Sequence, residues 1–120
     1  EKLIIVFGCG GDRDSEKRSK MTAIACNMSN QVIITADNPR TEKIENIISD
    51  MTAKLDPIQK KKVLVITDRS QAIKTACTLA SHGDVVLLAG KGHEKYQEIK
   101  GVKHYFDDVE ELVESLNINQ

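Results

Sequence analysis

Short apolar runs alternate with longer amphipathic stretches along this chain, and the alternation predicts its secondary structure. The short runs are continuous and rich in β-branched residues, which is typical of strands that a parallel sheet buries on both faces. They predict strands over residues 3–7, 32–35, 63–66 and 84–89. The stretches between them repeat apolar residues every three or four positions, which predicts helices over 16–28, about 42–55 and from Asp68 or Ser70 to Gly83.

The first two helices carry residues that we expect in the core. In the first helix these are Met21, Ile24, Ala25 and Met28. The second helix follows Pro39, which ends a strand because proline has no N–H to donate, and Thr41, which suits an N-cap. Its apolar face is marked by Ile44, Ile47, Ile48 and Met51.

The last third of the chain has a different pattern. Residues 96–99 and 102–106 alternate around a Lys100–Gly101 turn, which predicts an antiparallel hairpin at the sheet edge. Asp107 or Asp108 then caps a final helix. The run Lys60–Lys62 is interpreted as a solvated loop before a strand.

Strands that alternate with helices require crossover connections and therefore a mainly parallel sheet. We predict one α/β domain over residues 1–120: a doubly wound, Rossmann-like sheet of about six strands with helices on both faces and the hairpin at one edge. In such sheets ligands bind beyond the carboxyl ends of the strands, so function is expected in the loops at that rim.

Composition narrows the classes of function. The chain is 40% hydrophobic and 29% charged, with enough apolar material for one core. No apolar run approaches the roughly 20 residues of a membrane span. The 17 basic and 18 acidic residues leave a net charge of −1, a poor footprint for nucleic acid. Three widely spaced cysteines favour a reducing, cytoplasmic setting, and Glu1 in place of Met indicates a segment of a longer protein.

The residues suited to ligand chemistry follow the first, second and fourth predicted strands. These loops are 8–14, 37–40 and 90–94, and parallel strands should open all three on one rim. Glycines there let the backbone approach a ligand. Arg13 and Arg40 can bind a carboxylate or phosphate, and Glu94 can bind an ammonium group.

Each loop by itself leaves other interpretations open. Gly8 and Gly10 begin a dinucleotide-binding fingerprint, but Arg13 stands where its third glycine should be. Residues 90–94 lack the upstream glycine and the following Ser or Thr of a P-loop. Cys9 fits a small buried hydrophobe better than a nucleophile, and His93 and His104 have no accompanying cluster of metal ligands. Plain turns, a free-standing dinucleotide-binding domain and a non-catalytic interaction module are the alternatives.

Four motifs in order are far more specific than any one of them. They are GCGGDRD at 8–14 with Lys17 and Arg18, TADNPRTE at 35–42, Asp68-Arg69 with Ala72-Ile73, and DVVLLAGKGHE at 84–94 with Tyr96-Gln97. From about Leu3 to Asp108 this series resembles the C-terminal domain of the Mur ligases of peptidoglycan synthesis, within them the UDP-N-acetylmuramoyl-dipeptide ligases.

The resemblance implies a three-domain cytoplasmic enzyme. Its first domain holds the UDP-sugar, the central domain carries a P-loop, magnesium sites and a carbamylated lysine, and the third closes over them with the incoming amino acid. ATP phosphorylates the substrate carboxylate, and the amino group then attacks the acyl phosphate. The implied parent is a monomer that needs ATP and Mg²⁺. The 120-residue segment needs neither, is inactive alone, and has as partners the two missing domains and the small-molecule substrates.

The resemblance also assigns residues. It implies a meso-diaminopimelate site formed by Arg13, Asp37, Asn38, Pro39, Arg40, Gly90 and Glu94, and a nucleotide-facing set of Asp12, Lys17 and Arg18. Catalytic and metal-binding residues are expected outside this segment. Members that add diaminopimelate show Asp-Asn-Pro-Arg at this place, whereas lysine-adding members usually lack the arginine. Diaminopimelate is lysine with one more carboxylate, which Arg40 would pair. A lysine-adding member is the alternative.

Overall fold

Four of the strands predicted from the sequence form one parallel sheet. They are β1 (Leu3–Phe7), β2 (Gln31–Ile34), β3 (Val63–Val65) and β4 (Val85–Ala89). Their spatial order is β3-β2-β1-β4, and every neighbouring pair is parallel. The structure is a computed structural model that describes residues 1–90 and 94–118, with only the backbone of 117 and 118.

Helices cover both faces of the sheet, as predicted. They are α1 (Glu16–Met28), α2 (Ile44–Thr52), α3 (Pro57–Lys62), α4 (Arg69–Leu79) and α5 (Asp108–Ile118). On one face, α1 and α2 pack against Ile5, Phe7 and Val32. On the other, α4 packs against Ile4 and Val6, and α5 packs against α4. No helix in the described ranges combines the length and apolar character needed to cross a membrane.

The hairpin forms a sheet of its own. Strands β5 (Tyr96–Ile99) and β6 (Val102–Tyr105) pair antiparallel, and neither joins the four parallel strands. An isolated bridge between Arg40 and Ile99 attaches the hairpin to the loop after β2. The hairpin is therefore confirmed, but it lies beyond the carboxyl ends of the main strands instead of extending their edge.

Of the residues expected in the core face of α1, Ala25 is confirmed as buried and the other three predictions were wrong. Met21, Ile24 and Met28 are 45%, 58% and 64% exposed. The buried face carries Arg18, Thr22, Ala25 and Cys26. Hydrophobic periodicity could not identify this face, because small side chains let α1 approach the sheet and an ion-paired arginine takes the place that an apolar residue would fill.

Two helix boundaries also differ from the expectation. Helix α2 begins at Ile44, later than predicted, and Lys43 takes the N-cap position. Thr41 does not cap it, since its hydroxyl donates to Asp12 Oδ1 at 2.6 Å. Helix α3 was not predicted, although Asp56 and Gln59 form a capping box around a proline at the helix start.

Part of the lysine run has a structural role. Lys62 Nζ donates to the carbonyl oxygens of Cys26 and Ser29 at 3.0 and 3.2 Å, at the carboxyl end of α1. A lysine in that place satisfies carbonyl groups that the helix leaves without intrahelical partners. The interpretation of this residue as a merely solvated charge was therefore wrong.

The burial of α2 and the exposure of α1 can be tested by a pair of matched variants. Ile47 is 0% exposed, so Ile47→Ala should lower the free energy of unfolding by about 2–5 kcal/mol. Ile24→Ala should change it by about 0.5 kcal/mol or less, because the side chain lies largely in solvent. Urea unfolding monitored by circular dichroism measures both. Equal losses would show that the exposed face of α1 is covered in solution.

Candidate functional site

The predicted loops do meet at one rim. Because β2 and β4 flank β1 in parallel, the chain leaves their three carboxyl ends side by side. The strand order reverses between β1 and β4, which is the position where doubly wound sheets bind ligands. A depression of about 350 Å³ lies there. Its lining consists of Gly8, Cys9, Gly10, Arg13, Asp14, Lys17, Arg18, Met21, Asp37 and Gly90.

The glycine-rich loop packs directly on the loop after β2. The Gly11 N–H donates to Asn38 O at 2.7 Å. A Cβ on Gly11 would lie 1.7 Å from the carbonyl oxygen of Pro39, so only glycine fits. At Gly10 the added Cβ would lie 2.7 Å from Arg40 Nη1. The space beside these glycines is filled by the protein itself, which counts against the dinucleotide-binding interpretation.

The buried side chain of Arg18 contacts both the glycine-rich loop and the loop after β2. Its side chain is 2% exposed, and its Nη2 lies 2.7 Å from Glu42 Oε1 while its Nη1 lies 2.9 Å from Asp50 Oδ2. Nη2 also donates to Gly10 O at 3.1 Å. The predicted nucleotide contact of Arg18 stays a prediction, and it would require this guanidinium to give up partners that it already has.

The Glu42 carboxylate accepts hydrogen bonds from the Arg18 side chain and from the backbone of the loop after β1. The Arg18 side chain and the Asp12 N–H both donate to Oε1, at 2.7 and 2.8 Å. The hydrogen bond from Arg18, followed by that from the Asp12 backbone, lowers the pKa of Glu42 below its usual value. Sequence reasoning did not identify Glu42 as important, because nothing in TADNPRTE indicates that its carboxylate meets an arginine 24 residues earlier.

Arg40 has an unusual backbone and a partly free side chain. Its φ is +55°, a left-handed conformation that a non-glycine residue adopts at a cost of about 1 kcal/mol. Two hydrogen bonds to the hairpin hold it: Arg40 N–H to Glu98 O at 2.8 Å, and Lys100 N–H to Arg40 O at 2.6 Å.

The guanidinium of Arg40 lies across the glycine-rich loop. Its Nη1 donates to Gly11 O at 3.1 Å and to Asn38 O at 3.3 Å. Within the described part of the chain, Nη2 and Nε have no protein acceptor. Arg40 is thus oriented by carbonyl groups and keeps N–H groups for a ligand, which is the arrangement that carboxylate binding requires.

Asn38 connects the loop after β2 with the segment after β4. It is buried, and its Nδ2 donates to Glu94 Oε1 at 3.4 Å while its Oδ1 accepts from the Glu98 N–H at 2.8 Å. Tyr96 Oη donates to the other oxygen of Glu94, also at 3.4 Å. Both contacts are long, so the Glu94 carboxylate is oriented without being fully consumed.

The rest of the predicted set lies around these residues. Asp37 is close to Gly90, where an added Cβ would lie 3.8 Å from Asp37 Oδ2. Arg13 is exposed at the depression and donates to Asp12 O at 3.4 Å. Pro39 is buried and, unlike the others, lines a separate groove of about 1260 Å³ between α4 and the hairpin.

The third predicted loop is only partly described. Lys91, Gly92 and His93 lie outside the described residues. Within residues 1–90 and 94–118, no group of three or more His, Cys, Asp and Glu side chains is arranged to hold a metal ion. Of the nucleotide-facing set, Lys17 is exposed at the depression, whereas Asp12 accepts from Thr41.

Cys9 lies in the depression but is a poor nucleophile. Burial raises its pKa to about 11, against a smaller lowering effect of the Arg18 charge. At neutral pH the thiol is therefore protonated, as expected for a small buried hydrophobe.

Known proteins resemble this chain along almost its whole length. The family model described as "Mur ligase, glutamate ligase domain" matches residues 1–92. The chain is 59% identical over 116 residues to the UDP-N-acetylmuramoyl-L-alanyl-D-glutamate--2,6-diaminopimelate ligase of Bacteroides thetaiotaomicron. To the protein of the same name from Cytophaga hutchinsonii it is 54% identical over 118 residues. These alignments cover 97% and 96% of this chain and 24% of each relative.

A solved structure carrying the same ligase name superposes with a TM-score of 0.94 at 49% identity. It matches 99% of this chain, which covers 24% of that chain. The chain therefore spans about a quarter of the length of the relatives that it matches.

The join between the two loops predicts a specific acid sensitivity. Because the folded pKa of Glu42 is depressed, its stabilising effect is present above the unfolded value of about 4.5 and is lost as the pH falls through the folded pKa. Glu42→Gln should lower stability at pH 7, and its difference from the wild type should narrow below about pH 4.5. Urea unfolding between pH 3 and 7 measures this difference.

The control for that experiment is Glu114→Gln. Glu114 is exposed on α5 and makes no ion pair within the described ranges. Its replacement should have little effect on stability at pH 7. A Glu42→Gln difference that stays constant from pH 7 to pH 3 would contradict the assigned role of Glu42.

Proposed function

This chain belongs to the Mur ligase family, and from that premise we propose that it is the C-terminal, amino-acid-binding domain of a ligase that adds meso-diaminopimelate to UDP-N-acetylmuramoyl-L-Ala-D-Glu. In this proposal residues 1–120 form one domain of a longer chain, and the other two domains are its partners. The reaction takes place in the cytoplasm, where reducing conditions suit the three free cysteines. We also propose that the parent acts as a monomer.

The observation that carries the proposal is the guanidinium of Arg40. Carbonyl groups orient it through Nη1, and Nη2 and Nε have no acceptor among the described residues. A planar donor held in this way binds a carboxylate through two parallel hydrogen bonds. Lysine, which lacks the distal carboxylate of diaminopimelate, would leave the guanidinium without this partner, at a cost of about 2–4 kcal/mol.

The remaining proposed contacts suit the other charges of diaminopimelate. Glu94, oriented by Asn38 and Tyr96, binds the distal ammonium group. Asp37 and Gly90 lie together at the depression, and we place them close to this ammonium group. Gly90 has no side chain, so the ligand can approach its backbone closely. Arg13 is the second cation at this edge. Opposite charges on the ligand thus meet opposite charges on the protein.

The chemical step belongs to the parent protein. ATP phosphorylates the substrate carboxylate, and the amino group of the bound amino acid attacks the acyl phosphate, which gives an amide, ADP and phosphate. We propose that the central domain of the parent holds Mg²⁺, as the resemblance to the Mur ligases implies. The segment by itself is expected to be inactive, because it orients the nucleophile without activating the electrophile.

Removal of the Arg40 guanidinium in the parent ligase tests the specificity. Arg40→Ala should lower kcat/KM for meso-diaminopimelate about 30- to 700-fold, which corresponds to about 2–4 kcal/mol, and should not lower kcat/KM for lysine, because the unpaired guanidinium that disfavours lysine is gone. The discrimination between the two amino acids therefore falls by at least the same factor. ADP release under initial-rate conditions measures both constants.

The matched control is Lys61→Ala, which removes an exposed cation at the end of α3, just before the start of β3 and so at the opposite end of the sheet from the rim. It should leave both constants unchanged. A wild-type parent that uses lysine and not diaminopimelate would contradict the proposed substrate and favour the lysine-adding alternative.

No NAD-dependent change in fluorescence is expected, and saturable NAD binding would favour a dinucleotide-binding domain.

Two glycine variants separate ligand orientation from folding. At Gly10 the added Cβ meets Arg40 Nη1, the end of a flexible side chain, so Gly10→Ala should displace the guanidinium and leave the fold intact. At Gly11 the Cβ meets the Pro39 backbone, so Gly11→Ala should destabilise the domain by about 1–3 kcal/mol. We expect a raised KM for diaminopimelate with an unchanged unfolding midpoint only for Gly10→Ala. The reverse pattern would contradict this account of the loop.

A further inference from the structure

The strongest unexplained feature of the rim is a buried ion pair that the proposed ligand does not touch. We propose that Arg69 and Asp108 are positioning residues that set the spacing between the two halves of the amino-acid site, the loop after β2 on one side and Gly90 and Glu94 after β4 on the other. This inference rests on the proposed function for the identity of the ligand. The contacts that it invokes are independent of that identity.

The pair itself is closely fitted. Arg69, the first residue of α4, is 1% exposed, and Asp108, the first residue of α5, is 3% exposed. Arg69 Nε donates to Asp108 Oδ1 and Nη2 donates to Oδ2, both at 2.7 Å. This bidentate geometry fixes the plane of the guanidinium, and with it the direction of the remaining N–H groups.

Those remaining groups point to the ends of two strands. Nη1 donates to Ala36 O at 3.1 Å, and Nη2 lies 3.5 Å from Ala89 O. Ala36 immediately precedes Asp37, and Ala89 immediately precedes Gly90. One guanidinium therefore contacts the residue before each of the two segments that hold the proposed ligand-binding groups.

The sheet cannot supply this connection. Strands β2 and β4 lie on opposite sides of β1, so no ladder of hydrogen bonds joins them to each other. Beyond the last paired residues of β2 and β4, the distance between the segments that follow them depends on the side chains that contact both. Arg69 is such a bridge, and Gln97 of the hairpin adds donors to Ala36 O and Asp37 O at 3.4 and 3.0 Å.

The chemistry of the pair requires both members. Arginine keeps its charge at every accessible pH, so a buried Arg69 needs the carboxylate of Asp108 to remain in place. Lysine at this position would supply a single ammonium group in place of the planar set of N–H donors. It could not contact Asp108 and both carbonyl groups in the same geometry. Asp108 thereby connects α5 to the site although it touches no ligand.

A positioning role and a merely structural role predict different kinetics in the parent ligase. Arg69→Lys and Asp108→Asn should each raise KM for diaminopimelate at least tenfold, with kcat at saturating amino acid reduced less than threefold. The control is Ile73→Ala, which removes a fully buried side chain one turn further along the same helix. Urea unfolding identifies conditions in which the variants are equally folded, and there Ile73→Ala should leave KM unchanged.

Amide hydrogen exchange gives a second readout that needs no ligand. The N–H groups of Gly11, Arg40 and Glu98 donate across the loops at the rim, and none is adjacent in sequence to the substituted residues. Their exchange should accelerate at least tenfold in Arg69→Lys and not in Ile73→Ala. If Arg69→Lys does not fold, Asp108→Asn is measured in its place.

The proposal is overturned if the Arg69 and Asp108 variants match Ile73→Ala in both KM and rim exchange, since the pair would then contribute stability alone. Failure of the proposed function has a different signature. A wild-type parent that uses another amino acid refutes the substrate, and KM for the amino acid that it does use then tests the pair in the same way.

Discussion

The rim of this domain depends on the buried guanidinium of Arg18. It donates to Glu42, Asp50 and Gly10 O, and so joins the loop after β1, the loop after β2 and helix α2 around one charge. Because arginine cannot lose its proton, the guanidinium stays buried only while those acceptors remain in place. The hydrogen bond from the Gly11 N–H to Asn38 O connects the loops after β1 and β2 directly. The side chain of Arg40 lies across the surface that results.

Burial assigns different roles to arginines of identical chemistry. Arg18 and Arg69 are enclosed and paired with carboxylates, so their positive charges are used within the fold. Arg40 is only partly buried and is oriented by carbonyl groups, which cannot neutralise it. Arg13 is exposed beside the depression. A net charge near zero is therefore compatible with the proposed binding of carboxylates at the rim, since the net charge does not distinguish cations that are paired inside the fold from cations that are available to a ligand.

Much of the fold could be predicted from local pattern. Strand β1, helix α1 and the hairpin follow directly from apolar runs, helical spacing and turn residues. The convergence of the loops follows from parallel strands. The errors about burial have one physical origin. Met21, Ile24 and Met28 have core-like spacing and remain exposed, while Arg18 is buried, because burial depends on what packs opposite each face and not on periodicity alone.

The sequence by itself determined the strands, the positions that need glycine and the residue types that gather at the rim, because these depend on short-range sterics and on the periodicity of apolar residues. Only the tertiary structure decided which charges meet. Arg69 and Asp108 are 39 residues apart, and Arg18 and Glu42 are 24 apart, distances over which no local rule acts. Such pairs form when packing brings their elements together, and removal from water then makes the pairing obligatory. That is why ligand-binding residues could be proposed from the sequence, while the carboxylates that pair with Arg18 and Arg69 could not.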